Sequence, residues 1–266
     1  MKGFIRFVVF ILFVYAFLGG LINLQKKETV VAQTCVDGFE VINRAQDRTH
    51  QREWNAVDFS NSFCTSYHSL EKISAATADQ RNRITQEAFS YEDLWGKVYR
   101  DLVKESKRNI QFLVDSLSTI SQEKQLTRSA LAEMIVTFVQ DIPYSYVLNI
   151  DCSEYETGDK PCIGNVALGL LSPYEFIHSL YGDCDTRAVL MYTLLEELGF
   201  DPMIVVSNQY AHAMLALNIP ASGDHLTHRG NNYYFWETTA KGWPIGMLPP
   251  STNNVNYWEI ALVNEL

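Results

Sequence analysis

The sequence predicts an α+β protein, with helices gathered ahead of a run of strands. Three observations carry that reading. Apolar residues recur at three- and four-residue spacing through much of the chain between 90 and 198. Beyond Gly199 the pattern changes to short β-branched and aromatic stretches, "DPMIVVS", "HAMLALNI" and "NYYFWETT". Between the last two lies "PASGDHLTHRGN", polar and turn-forming, which reads as a loop of hairpin character.

Taken in order, the chain begins with the apolar run Phe7 to Leu24, "FVVFILFVYAFLGGLINL", behind Lys2 and Arg6. This is either an uncleaved single-pass anchor or a secretory signal cut near Val30-Val31-Ala32, the anchor being preferred. Either reading exports the remainder. Residues 25–125 are expected to form a mainly helical extracytoplasmic region, and residues 126–266 the functional domain. Thr34 to Phe89 is mixed and weakly periodic. Ser90 with Asp93 resembles a capping box ahead of Leu94, Val98, Leu102 and Val103. Ile110, Leu113, Val114 and Leu117 make a second apolar set, and Leu131, Ile135 and Phe138 a third, which stops before Pro143. Ser172-Pro173 with Glu175 marks another helix start. A last helix carries Ala188, Met191, Leu194, Leu195 and Leu198, with Gly199 at its C-terminal end.

At 266 residues the chain suffices for one large or two small domains, and 47% apolar with 20% charged residues is ordinary globular composition. A formal charge of -10 without a basic stripe argues against nucleic acid as a partner. Of the five cysteines, Cys35 with Cys64 and Cys152 with Cys162 form natural pairs in an exported chain, one of three possible connectivities. Cys184 is left over.

Cys184 opens the last helix, where unpaired N–H groups and the helix dipole favour a thiolate. Asp183 and Asp185 oppose this, and they are expected to point outward and pair with Arg187. A thiolate nucleophile needs a base, and the base an orienting acceptor. His212 on one strand-like stretch and Glu237 on the next supply both types of group in suitable places. The segment Asp224-His225-x-x-His228 lacks further convergent ligands, and no metal or cofactor is expected.

"GDCDTRAVLMYTLLEELGFDPMIVV", then "HAMLAL", then "WETT" resembles the transglutaminase-like superfamily, a papain-like fold widespread in bacteria. The resemblance covers about Ser129 to Pro250. It implies a catalytic helix packed on an antiparallel sheet, with Cys184 as nucleophile, His212 as general base and Glu237 where the family usually has aspartate. The Cys184 N–H would be one oxyanion donor, with Tyr181 a candidate for the second. Tyr210, Trp236 and Trp243 are candidates for the substrate groove. The implied activity is thiol-dependent acyl transfer on peptide or protein amides at the cell surface or in the periplasm, hydrolysis being preferred over transfer to an amine. The alternative is a catalytically silent domain that binds peptide or envelope partners.

Overall fold

The computed structural model describes residues 47–264 except 86. Cys35 and the apolar N-terminal run, with both targeting readings, lie outside the described residues. Among those described, no helix is long and apolar enough to cross a membrane. The architecture is α+β.

The described chain begins with a β-hairpin, β1 (Arg48–Asn55) antiparallel to β2 (Ser62–Ser69), within the region expected to be mainly helical. Its period of two was hidden because the inward positions of β1 are Arg48, His50, Arg52 and Trp54, three of them polar. Each inward polar side chain makes at least one hydrogen bond to an acceptor. Arg48 and His50 both donate to the His178 carbonyl, at 2.9 and 3.2 Å. Arg52 donates to Asp141 at 3.0 Å and Trp54 to the Met134 carbonyl at 3.0 Å.

Burial and the neighbouring Arg48 charge hold His50 down at about 4, against 6.5 for a free imidazole. His50 is therefore neutral when folded and takes a proton on unfolding. Its contribution is complete above pH 6.5 and is lost progressively as the pH falls towards 4, by about 3 kcal/mol across that window. Urea titrations at pH 7 and pH 4.5 should show this drop, and His50→Gln should flatten it. An equally steep drop in His50→Gln would assign the loss to other groups.

Four helices follow: α1 (Glu71–Arg81), α2 (Tyr91–Ser106), α3 (Gln111–Glu123) and α4 (Arg128–Gln140). Ser90 caps α2 by accepting from Asp93 N, but the Asp93 carboxylate turns to Phe89 N, so half of the expected box forms. After α4 come β3 (Tyr146–Val147) and β4 (Cys162–Ile163), a short parallel pair. The Cys152–Cys162 disulfide forms as expected, with a sequence separation of 10. Closing that loop contributes about 2–3 kcal/mol, and the bond is compatible with an extracytoplasmic setting. Cys64 is disulfide-bonded too.

α5 (Pro173–Ser179) starts with the complete Ser172–Glu175 capping box and Pro173 in its first turn. α6 (Cys184–Glu197) follows closely. Gly182 permits the tight join, since a Cβ there would stand 2.7 Å from the Phe176 ring.

Five strands complete the fold: β5 (Pro202–Ser207), β6 (His212–Leu217), β7 (His225–His228), β8 (Asn231–Trp236) and β9 (Glu259–Val263). They form one sheet in the order β7-β8-β6-β5-β9, with every neighbouring pair antiparallel. β7 lies in the segment read as a loop. Alternation splits the side chains cleanly. Ile204, Val206 and Ala213 face Ala188, Val189 and Tyr192 of α6. Met203, Val205, Met214 and Phe235 face the other way, under Leu248 and Trp258. Each fully buried aliphatic side chain at this layer contributes about 1.5–3 kcal/mol. α2 packs on the same face as α6, lying on β9 and α6. That approach depends on Gly96, where a Cβ would meet the Ala261 carbonyl oxygen at 2.1 Å.

Candidate active site

Cys184 is the first residue of α6, a free thiol with 7% of its surface exposed. Asp183 caps the helix, its carboxylate accepting from Thr186 N at 3.1 Å. Both aspartates turn inward, contrary to expectation. Asp183 is buried, and burial with the nearby Asp185 charge pushes its carboxyl up to about 8. Asp185 accepts the Cys184 S–H at 3.3 Å on Oδ2 and the Tyr99 hydroxyl of α2 on Oδ1. Burial, Asp185 and Asp183 together drive the thiol well above its ordinary range, opposed by the Ala213 N–H of β6. The helix-mouth advantage is therefore outweighed in this state.

His212 begins β6, one residue before the Ala213 amide that reaches the sulfur. Its Nε2 bonds Glu237 Oε2 at 3.0 Å, which leaves Nδ1 as the nitrogen able to meet a thiol. Glu237 follows β8 directly. It is 2% exposed and also accepts from Thr238 N, Thr239 N and the Thr239 hydroxyl at 2.8, 2.8 and 2.6 Å. Burial acts to raise this carboxyl, but the hydrogen bond and charge of His212 and the Thr239 bonds outweigh it and hold it at about 2. Both carboxylate oxygens are thus hydrogen-bonded, Oε2 to His212 and Oε1 to Thr238 and Thr239. By strand alternation His212 shares the face of Met214 and Trp258, while Ala213 faces α6. Among the described residues, the thiol's hydrogen bond goes to Asp185 and none joins it to His212.

Arg187 knits these parts together. The expected pairing with the aspartates is replaced by four backbone carbonyls. Nε donates to Gly182 at 2.9 Å, Nη1 to Val139 at 2.9 Å and Thr238 at 3.4 Å, and Nη2 to Ile142 at 2.6 Å. One fully buried guanidinium therefore ties the loop before Cys184, the end of α4 and the residue after Glu237. Burial lowers its pKa to about 10, still charged at neutral pH. Gln140 supports the same join, its side-chain amide donating to the Glu237 and Trp243 carbonyls at 2.7 and 3.1 Å.

No family model, curated protein or solved structure matches this chain.

The other residues singled out in the sequence separate. Trp236 is core, 2% exposed, with its indole N–H on the Trp243 carbonyl at 3.0 Å, so it lines no groove. Trp243 is partly exposed on the loop after Glu237. Tyr181 is partly buried against the cluster of Val147, Val166 and Leu171. Tyr210 does border the site. Its ring lies 5.8 Å from Trp258, whose ring is 5.7 Å from His212. Sequence reasoning missed Trp258, Tyr99 and Tyr144. Tyr144 sits with its ring 5.6 Å from the Arg187 guanidinium, and its phenol is raised by burial and by Cys184. Only Tyr99 left a legible trace, as the last of three aromatics at four-residue spacing with Tyr91 and Trp95.

Proposed function

We propose that the protein is a thiol-dependent acyl-transfer enzyme of transglutaminase-like type, acting outside the cytoplasm on peptide or protein amides. The observation that carries this is the part-buried His212–Glu237 pair, with His212 at the start of β6, next to the amide that touches the Cys184 sulfur. A helix-borne thiol, an imidazole on the next but one strand and a carboxylate just past the end of β8 follow one another in the chain order the resemblance implies. The disulfide supports the location.

In this reading Cys184 Sγ attacks a carboxamide carbonyl and its proton passes to His212 Nδ1, with Glu237 fixing the ring through Nε2. The developing oxyanion meets the Cys184 N–H at the helix mouth. Collapse forms a thioester, and His212 returns the proton to the departing amine. Water then attacks, giving up a proton to His212, and the carboxylic acid and free thiol are released. A primary amine in place of water would give a new amide.

A second reading, an inherited cleft that binds peptide without chemistry, is favoured by the thiol's attachment to Asp185. The two are separated by incubating the protein with unfolded casein and a fluorescent primary amine. Peptide release or amine incorporation is expected, falling at least a thousandfold in Cys184→Ala and in His212→Ala. Wild-type rates equal to those of Cys184→Ala on both readouts would leave only the binding reading.

A further inference from the structure

The thiol is held by a group that the acyl-transfer scheme does not use. Asp185 Oδ2 takes the Cys184 S–H at 3.3 Å, while Oδ1 takes the Tyr99 hydroxyl from α2. Tyr99 is fully buried, and Trp95 stacks on it at 5.6 Å with Tyr91 against Trp95 at 6.2 Å. α2 is itself seated by the Gly96–Ala261 close approach. The carboxylate is thus fixed from one side and presented to the sulfur on the other.

We propose that Asp185, anchored by Tyr99, is a positioning residue that keeps the Cys184 thiol protonated and turned from His212 until the site is engaged. Other groups facing the sulfur do not cancel this restraint. Asp183 on the same helix turn acts in the same direction. The phenols of Tyr91 and Tyr99 on α2 and of Tyr144 after α4 all lie within electrostatic reach of Cys184, and burial keeps each protonated. Arg187 is the nearby cation, but its N–H groups are committed to carbonyls. The Ala213 N–H is the remaining donor. His212, on β6, is occupied at Nε2 by Glu237 and offers Nδ1. Freeing the sulfur from Asp185 would let its proton pass to that nitrogen, with no other reactant needed.

The restraint stands on the hydrogen bonds, and only the role given to the released thiol rests on the acyl-transfer reading. Its test is therefore the rate of Cys184 alkylation by iodoacetamide, followed by mass spectrometry from pH 6 to 10 in the intact protein. Wild type is expected to react more slowly than a free cysteine, with no plateau below pH 9. Asp185→Asn keeps the shape and the acceptor for Tyr99 but removes the charge. It should react about tenfold faster at pH 7.5, with its profile displaced to lower pH. In Asp185→Asn/His212→Ala most of that gain should vanish, which a purely structural role for Asp185 would not produce. A wild-type midpoint at or below that of free cysteine, or an Asp185→Asn rate no higher than wild type, overturns the proposal. Loss of casein activity in wild type with a positive alkylation result would sink the enzyme reading alone.

Discussion

Replacing Arg187 by methionine is expected to cost about 4 kcal/mol of folding stability, the largest effect of any single substitution near the site. Methionine fills much of the volume, so the loss is not a cavity effect. It comes from the four carbonyls of Gly182, Val139, Ile142 and Thr238, which lose their donor inside the protein. An unsatisfied buried acceptor costs about 1–3 kcal/mol. Buried ion pairs are often replaceable by apolar groups at no loss. Arg187 differs because its partners are main-chain oxygens that cannot be removed with it. Arg187→Lys should fare little better, since an ammonium offers donors from one point and cannot span carbonyls on three segments. Denaturant midpoints at pH 7 decide the matter. A loss below about 1 kcal/mol for methionine would show that the three segments hold together without the guanidinium.

The same residue marks the limit of what the sequence alone makes legible. Helices α2 to α6 were visible because their buried positions are apolar and their ends carry conventional signals, as at Ser172-Pro173 and Gly199. The strand that begins with His212 and the one that ends just before Glu237 were visible for the matching reason. The β1–β2 hairpin was not, because it turns arginines and a histidine inward, and only contacts with α4 and α5 make that burial tolerable. Arg187 next to two aspartates in sequence suggested an ion pair, yet three-dimensional proximity to carbonyls 45 and 51 residues distant decided otherwise. The inward turn of Asp185 likewise depends on Tyr99, 86 residues away, whose hydroxyl no local pattern could assign to it. Trp258 next to His212 is set by β9 crossing back beside β5, again a long-range pairing.

Glu237→Gln is expected to produce two separable losses, one in stability and one in rate. The wild-type carboxyl lies at about 2 in the folded state and 4.5 when free, so folding prefers its ionised form. Its contribution is present above pH 4.5 and is lost as the pH falls through that window towards 2, by about 3 kcal/mol. This acid transition lies below the one assigned to His50, so the two can be resolved on one stability profile. In Glu237→Gln the lower transition should disappear and stability at pH 7 should fall, because an amide offers one oxygen where the carboxylate serves His212, Thr238 and Thr239 through two. The amide nitrogen would also face His212 Nε2 donor to donor, favouring the ring tautomer with its proton on Nδ1. That is the nitrogen that must be vacant to accept from sulfur. Turnover on casein should therefore drop about a hundredfold or more, while Glu237→Asp, which keeps the charge, should retain more activity than glutamine. Equal activity in the glutamine variant and wild type would place Glu237 in the fold alone and remove the carboxylate from the proposed chemistry.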